Sequence, residues 1–278
     1  MTHSHAEIRA LLQLNGLNPS RALGQNFVGD ANTVRKIARL AEVGAGDRVV
    51  EIGPGLGSLT LALLETGASV TAVEMDRFLI PVLKHIVEQH GATVVHADAL
   101  EVDWHELLGD EPGWVLVANL PYNVATPLVM KLLDEAPMVQ RILVMVQREV
   151  GERLAATPGS KAYGAVSVKV AWSAAAKVLG KVPPSVFFPQ PKVDSALVML
   201  ERHEHELGDR HERDTVFAFV EAGFATRRKM LRNTLAGLVD DTGFTAAGID
   251  PTDRAERLDL AAWRKLAACR ISNERPPS

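Results

Sequence analysis

The sequence is poor in the features that mark secreted and membrane proteins. Its 278 residues include one cysteine, Cys269, so no internal disulfide is possible, which fits a reducing compartment. Apolar runs such as Val115–Leu120 and Ile142–Val146 are far shorter than the roughly 20 residues that a membrane-spanning helix needs. The opening MTHSHAEIRA lacks the cationic start and apolar stretch of a secretory signal. We therefore expect a cytoplasmic protein with no membrane partner.

Metal-ligand spacings are also missing. Nine histidines are present, but no Cys-x-x-Cys or His-Glu-x-x-His pattern occurs, so no metal site is predicted. His203, His205 and His211 lie among acidic residues in a polar stretch that is typical of a solvated connector. The composition, 47% hydrophobic and 23% charged residues, excludes wholesale disorder and fibrous proteins. The length suggests one large and one small domain.

Acidic residues are absent from two stretches of the chain, although the formal net charge is -4. Six Lys and Arg residues lie between Arg153 and Val193, with aromatic residues interleaved. Four more lie between Ala222 and Val239, and these are Arg227, Arg228, Lys229 and Arg232. Cations with interleaved aromatic rings favour contact with the phosphates and bases of a polynucleotide. The alternative is that the scattered lysines are solvated surface and that the arginine cluster caps a helix.

Buried strands alternate with helix-length segments through the first half of the chain. A helical pattern ends at Gly44, and Asp47–Gly53 then indicates a buried strand that enters a glycine-rich turn. Further runs rich in β-branched residues are Ser69–Glu74, Thr93–Asp98, Trp114–Asn119 and Ile142–Gln147. Near-continuous apolar strands separated by helices predict a parallel sheet that is covered on both faces. The predicted fold class is therefore α/β with a Rossmann-like sheet.

The sequence pattern changes near residue 204. Two strand-like runs within Ala171–Arg202 are expected to complete the sheet, whereas His203–Arg213 is polar and shows no apolar periodicity. From Val216 to Val239 and beyond, the pattern is helical only. We therefore predict two domains, with residues 1–204 carrying the sheet and residues 205–278 forming a small all-helical domain.

A glycine-rich motif, EIGPGLG, follows the first strand at Glu51–Gly57. Gly53 and Gly55 lack side chains, so their backbone is able to approach a nucleotide-like ligand closely. The dinucleotide fingerprint needs a third glycine where Ser58 or Thr60 stands, which disfavours a nicotinamide oxidoreductase. A purely structural tight turn remains the alternative.

Acidic side chains end the next two strands. Glu74 lies 21 residues after Gly53, where an acid accepts hydrogen bonds from both hydroxyls of a ribose. Asp98 ends the following strand and is suited to accept a hydrogen bond from an adenine amino group, although it is equally suited to cap a helix. Because ligands of open α/β sheets bind at the carboxyl ends of the strands, we expect these residues to share one pocket.

The motif NLPY, Asn119–Tyr122, directly follows the fourth strand. An exocyclic adenine amine is a poor nucleophile because its lone pair is delocalised into the ring, so a site that methylates it must restrain that conjugation. The Asn119 side-chain oxygen and the Leu120 carbonyl are expected to accept its two N–H bonds, and Tyr122 is expected to stack on the base. The alternative is a strand end with a proline stop.

These stretches together resemble a known family over nearly the whole chain. It is the family of S-adenosylmethionine-dependent small-subunit rRNA adenine N6,N6-dimethyltransferases, the bacterial kasugamycin-sensitivity methyltransferases. The matching stretches are Leu23–Phe27, Glu51–Gly57, Val73–Asp76, Asp98–Leu100, Asn119–Asn123, Gln147–Leu154, Tyr163–Val168, Phe187–Ala196 and Thr226–Asn233. The resemblance implies a Rossmann-like class I methyltransferase sheet and S-adenosyl-L-methionine as the cofactor.

The resemblance also implies a substrate and a set of site residues. The substrate is two adjacent adenosines in a 3′-terminal hairpin loop of 16S rRNA, dimethylated within a small ribosomal subunit or its precursor. The implied cofactor contacts, to which the glycine motif adds Gly55, are Asn26, Val28, Gly53, Glu74, Asp98 and Asn119. The implied target-base pocket consists of Asn119, Leu120, Tyr122 and Phe187. Val28 replaces a commoner leucine, and the choice of Asn26 and Phe187 rests on the resemblance alone.

Other functions stay open at this point. One is a non-catalytic RNA-binding assembly factor that keeps the fold, as related mitochondrial transcription factors do, and a cofactor titration separates it from an enzyme. Others are the large-subunit rRNA methyltransferases of macrolide resistance and a DNA adenine methyltransferase. By resemblance, the helical C-terminal segment and the PKVDSA motif favour the small subunit and a role in ribosome biogenesis. We expect a monomer whose cationic C-terminal domain binds the RNA.

Overall fold

The computed structural model describes residues 2–271 and divides into two compact units. The first unit consists of Met1–Glu152 together with Ala176–Arg202, and the second consists of Arg153–Ala175 together with His203–Ser278. Met1 and residues 272–278, the end of the predicted helical domain, lie outside the described residues. None of the helices in the described range is long and apolar enough to cross a membrane.

A seven-stranded sheet organises the first unit. The strands of the chain are β1 (Phe27–Val28), β2 (Arg48–Ile52), β3 (Ser69–Glu74), β4 (Thr93–His96), β5 (Trp114–Asn119), β6 (Val139–Gln147), β7 (Ala174–Val182), β8 (Phe187–Phe188) and β9 (Ser195–Arg202). The large sheet has the order β4-β3-β2-β5-β6-β9-β7, and β1 pairs with β8 separately. Strands β2 to β6 are parallel, whereas β9 runs antiparallel to β6. Five carboxyl strand ends therefore meet at one edge, to which β9 brings its amino end.

Helices connect the strands and continue beyond them. Their bounds are α1 (His5–Leu14), α2 (Ala31–Leu40), α3 (Ser58–Leu64), α4 (Ile80–Val87), α5 (Trp104–Leu108), α6 (Ala125–Glu135), α7 (Arg148–Leu154), α8 (Ala165–Ser173), α9 (Arg210–Phe224), α10 (Leu231–Thr234), α11 (Asp241–Ala247) and α12 (Leu260–Ala268). Helix α2 shows why such segments are helical. Asp30 caps it by accepting a hydrogen bond from the Thr33 N–H, and Val34, Ile37 and Ala38 form its buried face.

The fold class predicted from the sequence is confirmed. The five apolar runs form β2 to β6, and β5 buries five consecutive residues, as expected for a strand covered on both faces. The sheet is mostly parallel, and the chain beyond residue 203 is helical in its regular structure up to residue 271.

The segment 153–175 belongs to a different unit from the one predicted by the division into residues 1–204 and 205–278. Its contacts place it with the C-terminal helices, in the second unit. Tyr163 and Trp172 are buried in the same apolar core as Trp263, and the Tyr163 hydroxyl donates to the Leu258 carbonyl at 2.8 Å. The aromatic side chains of this segment thus find their apolar partners far along the chain, which local periodicity does not show.

Helix α9 corrects two expectations for the C-terminal part. It begins at Arg210, inside the stretch predicted as a polar connector, because Asp209 accepts a hydrogen bond from the Glu212 N–H and caps it. It ends at Phe224, and the helix predicted to continue beyond this point is interrupted by turns at residues 225–229.

Candidate active site

A cavity of about 320 Å³ lies at the carboxyl edge of the sheet in the first unit. Its walls are the segments that follow β2, β3, β4 and β5, together with the N-terminal loop 22–28. Gly53, Glu74, Asp98 and Asn119 all line it, each from a different strand end. The structure therefore brings these four predicted residues together in a space that is large enough for a small ligand.

The turn after β2 depends on glycine. Gly53 and Gly55 have positive φ angles of 67° and 60°, which glycine adopts without strain. A side chain at position 55 would also place its Cβ 2.8 Å from the ring of Phe27 in the N-terminal loop. The glycines thus serve a tight structural turn, and they also expose bare backbone at the cavity wall.

Glu74 ends β3 and is buried, with 5% of its surface exposed. Its Oε2 accepts a hydrogen bond from the Gly55 N–H at 3.0 Å, and its Oε1 accepts one from the Asp76 N–H at 2.9 Å. Burial raises the pKa of this carboxyl, and the two backbone N–H groups oppose that shift. Each carboxylate oxygen keeps a further lone pair, so Glu74 is able to accept ribose hydroxyls while it holds the glycine turn.

Asp98 follows β4 and orders a local turn. Its Oδ1 accepts a hydrogen bond from the Leu100 N–H at 2.9 Å, whereas the next helix, α5, is capped by Asp103. Asp98 therefore caps the single turn at residues 99–101, whose Glu101 and Val102 N–H groups donate to its carbonyl, rather than a full helix. The residue thus shapes the loop that carries it into the cavity wall.

Asn119 ends β5 with a fixed amide orientation. Its Nδ2 donates to the Asn26 carbonyl at 2.9 Å, so Oδ1 is the atom left to accept a hydrogen bond from a ligand. Asn26 Nδ2 donates to the Gly24 carbonyl at 3.0 Å, and Gln25 Nε2 donates to Asp76 Oδ2 at 2.7 Å. These bonds tie the N-terminal loop to the strand ends. The Asn26 carbonyl orients Asn119, which is a structural role for Asn26 that the sequence pattern did not reveal.

Leu120 and Tyr122 extend the cavity wall beyond β5. Leu120 is buried, and its N–H donates to the Met145 carbonyl at 3.0 Å, which ties the NLPY segment to β6. The Tyr122 hydroxyl lies 2.8 Å from Ser195 Oγ. Sequence reasoning missed Ser195, whose one signal was its place in the matching stretch Phe187–Ala196.

Phe187 lies behind the cavity wall rather than on it. It is 2% exposed in β8, where it pairs with Val28 of β1. Val28 lines the cavity, whereas Phe187 is not among its lining residues. The structure thus places Phe187 in support of the N-terminal loop, which differs from the target-base contact implied by the resemblance.

Glu51 lines the cavity and is also deeply buried, with 1% of its surface exposed. Burial raises the pKa of its carboxyl to about 8, and the nearby Glu74 carboxylate adds to the shift. Its Oε2 has no hydrogen-bond partner among the described residues. Sequence reasoning gave this side chain no role, because its protonation depends on burial that a motif does not reveal.

Glu51→Gln is expected to stabilise the protein at pH 8 and to flatten its pH dependence. Because the pKa of Glu51 is raised on folding, its contribution to stability is fully present below pH 4.5 and is lost as the pH rises to about 8. The loss approaches about 1.4 kcal/mol per pH unit within this window. Urea unfolding of the ligand-free protein at several pH values measures the free energy of unfolding of each variant. Glu88→Gln, on an exposed side chain, serves as the control, and parallel curves for wild type and Glu51→Gln would contradict the prediction.

The four cations predicted to bind RNA lie in the second unit and are exposed, Arg227, Arg228 and Lys229 in the turn after α9 and Arg232 in α10. Arg227 is partly engaged, since its guanidinium donates to the Lys161 and Tyr163 carbonyls at 3.1 and 3.3 Å. Arg228, Lys229 and Arg232 form no salt bridge with any described residue, although Arg232 interacts electrostatically with Asp250. Arg232 lies in the last turn of α10, where a cation also suits the end of a helix, so the helix-capping alternative stays open for it.

The mostly parallel sheet and the cavity at its carboxyl edge are those of a class I methyltransferase. The comparison with protein families narrows this class. The chain belongs to the ribosomal RNA adenine dimethylase family, whose model matches residues 16–270.

Known proteins agree with this assignment. The chain is 51% identical over 274 residues to the ribosomal RNA small subunit methyltransferase A of Leifsonia xyli subsp. xyli, covering 95% of this chain and 96% of that protein. It is 52% identical over 270 residues to the protein of the same name from Cutibacterium acnes, covering 92% and 90%. A dimethyladenosine transferase from Plasmodium falciparum shares the fold, with a TM-score of 0.72, 23% identity and coverage of 88% and 99%.

The protein is therefore an rRNA adenine dimethyltransferase, and its methyl donor is S-adenosylmethionine. The residues present fit this cofactor. The glycine turn has no room for a side chain at Gly55, and Glu74 keeps lone pairs for ribose hydroxyls beside that turn. The cavity also has the volume of a small-molecule site.

Proposed function

We propose that the protein dimethylates N6 of two adjacent adenosines in a 3′-terminal hairpin loop of 16S rRNA, within the small ribosomal subunit or its precursor. The observation that carries the chemistry is the orientation of Asn119, whose Nδ2 is held by the Asn26 carbonyl and whose Oδ1 is left for a ligand. The choice of the small subunit is supported by relatives at about half identity, which are named small subunit methyltransferases. We further propose that the protein acts as a monomer in the cytoplasm.

The cofactor is assigned to the side of the cavity formed by β2, β3 and β4. Gly53 and Gly55 offer bare backbone, Glu74 accepts the ribose hydroxyls, and Asp98 accepts the adenine amino group. Asn26 and Val28 close the cavity from the N-terminal loop. When bound, S-adenosylmethionine supplies an electrophilic methyl group, so the remaining requirement is a correctly held acceptor amine.

The target adenine is assigned to the side formed by Asn119, Leu120 and Tyr122. Asn119 Oδ1 and the Leu120 carbonyl accept the two N–H bonds of N6, which draws its lone pair out of conjugation with the ring. The methyl carbon would leave the sulfonium sulfur as it bonds to N6, with S-adenosylhomocysteine released, and the cationic nitrogen would then lose its proton to water, so no dedicated general base is needed. In the second round the amine has one N–H, so it makes one such hydrogen bond. Stacking on Tyr122 stabilises the unpaired base by about 1 to 3 kcal/mol.

The exposed cations that follow α9 in the second unit are assigned to the RNA backbone. Arg228, Lys229 and Arg232 are exposed, and no described acidic side chain forms a salt bridge with them. Phosphate contacts of this kind bind without reading sequence and weaken as salt rises. Arg227 is assigned a different role, because its bonds to two carbonyls order the turn itself.

Replacing Arg228, Lys229 and Arg232 together by Glu is expected to weaken binding to unmethylated small ribosomal particles by at least about tenfold. The plot of log affinity against log salt is expected to lose a slope of about 1 for each phosphate contact removed. Filter binding across a salt series measures both quantities. Replacing the exposed Lys36, Arg39 and Lys84 of the first unit by Glu makes the same charge change, and an equal loss there would contradict the assignment.

The proposed function is tested with labelled S-adenosylmethionine and ribosomal particles that lack the modification, followed by mapping of the label. We expect label on N6 of two adjacent adenosines near the 3′ end of 16S rRNA. Label in 23S rRNA would instead assign the large subunit. If no transfer occurs, the cofactor is titrated into the protein. Absence of binding would then indicate a non-catalytic assembly factor.

A further inference from the structure

Ser195 has no role in the chemistry described above, yet its side chain contacts the cavity wall. It is fully buried, with 0% of its surface exposed, and it is the first residue of β9. Because β9 runs antiparallel to β6, with Ser195 opposite Gln147, its amino end reaches the edge where the parallel strands end. Its Oγ lies 2.8 Å from the hydroxyl of Tyr122, although the two residues are 73 positions apart.

Burial decides which hydroxyl donates. Within residues 2–271, Ser195 Oγ has its hydrogen bond with Tyr122 and no other. If Tyr122 donated, the Ser195 proton would be left without an acceptor in a position that water does not reach, which is unfavourable. Ser195 therefore donates to the phenol oxygen, and the Tyr122 proton is directed to the accessible side of this half-buried residue. Burial raises the pKa of Tyr122, so the phenol keeps its proton at neutral pH.

The bond acts on the direction of the Tyr122 ring. The phenol oxygen lies on the axis about which the ring rotates, so a bond at that atom fixes where the axis points, while the ring torsion keeps its own broad preference. Tyr122 lies in the turn that follows β5, outside any helix or strand. Its ring is thereby tied to β9, which lies beyond β6 in the sheet order and is buried over most of its length.

We infer that Ser195 is a positioning residue, which holds the Tyr122 ring in the direction needed to stack on the target adenine. The inference rests on the proposed function, because it takes Tyr122 as the stacking surface. Ser195 itself is buried, so it affects methyl transfer only through its hydrogen bond with Tyr122. Its loss is expected to affect methyl transfer more than RNA binding, since transfer depends steeply on the orientation of the base.

The test measures steady-state methyl transfer by the full-length protein to unmethylated small ribosomal particles. Ser195→Ala and Tyr122→Phe are each expected to lower kcat about tenfold, as one lost hydrogen bond allows, with KM changed by less than about threefold. The double variant is expected to be no slower than either single variant, because both changes remove the same bond. Additive losses would overturn the inference, and so would a Ser195→Ala rate equal to that of wild type.

Ser167→Ala is the matched control for loss of a buried serine hydroxyl. Ser167 is 2% exposed in the second unit, and its Oγ donates to the Arg153 carbonyl at 2.6 Å and accepts from the Gly164 N–H at 3.2 Å. We expect Ser167→Ala to lower the Tm at least as much as Ser195→Ala does, while its kcat stays at the wild-type value. An equal loss of kcat in both variants would contradict the positioning role of Ser195, because lost stability would then explain the lower kcat. If wild type transfers no methyl group to these particles, the proposed function fails; if wild type is active and Ser195→Ala is equally fast, the inference alone fails.

Discussion

Asn119→Ala is expected to lower kcat for methyl transfer by about 100- to 1,000-fold, while the Kd for S-adenosylmethionine changes by less than about threefold. The size of the loss is that of removing one oriented group from an electrostatically prepared site. Asn119 Oδ1 is such a group, because the bond from Nδ2 to the Asn26 carbonyl fixes its direction before the substrate arrives. Single-turnover transfer rates and calorimetric titration of the cofactor measure the two quantities.

Two further variants separate the roles of the Asn119 amide. Asn119→Asp keeps an oxygen at the cavity but loses the donor to Asn26, so it is expected to fall between wild type and Asn119→Ala. Asn15→Ala is the control for an asparagine outside the site, because the Asn15 side chain is exposed and donates to the Leu11 carbonyl at the end of α1. Turnover of Asn119→Ala within threefold of wild type would refute the proposed contact with the amine.

Glu74→Ala is expected to weaken S-adenosylmethionine binding by at least about 100-fold. The carboxylate accepts hydrogen bonds from the Gly55 and Asp76 N–H groups, and each such bond to a charged acceptor contributes about 1.5 to 3 kcal/mol. Its removal therefore loosens the glycine turn and also deletes the acceptor for the ribose hydroxyls. Calorimetric titration of the cofactor into each variant measures the loss, at a temperature where circular dichroism shows that the variant is folded.

The matched variants for Glu74 test charge and position separately. Glu74→Gln keeps the shape but presents an NH₂ group to one of the two backbone N–H donors, so it is expected to bind the cofactor far more weakly than wild type. Glu88→Gln changes an exposed glutamate that pairs with Lys84, and its cofactor affinity is expected to equal that of wild type. A Glu74→Ala protein with wild-type affinity would remove Glu74 from the cofactor site.

Local patterns were sufficient for most of the sheet and for part of the site. The apolar runs that became β2 to β6 were recognisable because strands buried on both faces are almost continuously hydrophobic. Once the strands were parallel, Gly53, Glu74, Asp98 and Asn119 had to meet at one edge, and all four line the cavity. A strand-end residue is thus predictable when its strand belongs to a regular parallel run.

Local patterns were insufficient where a segment depends on distant partners. The segment 153–175 carries cations and aromatic residues that look continuous with the sheet domain, but its aromatic rings pack against the C-terminal helices. Phe187 occupies a matching motif, yet its pairing with Val28 places it behind the cavity wall. Neither outcome is encoded in the residues next to these positions.

The sequence by itself determined the alternation of strands and helices, the glycine turn and the side chains that end the parallel strands, because each of these follows from residues close together in the chain. Only the tertiary structure decided the contacts that orient those side chains. Asn26 reaches Asn119 across 93 positions, and Ser195 reaches Tyr122 across 73. The physical reason is that such contacts depend on the direction and order of strands, and the antiparallel course of β9 is set by packing of the whole sheet.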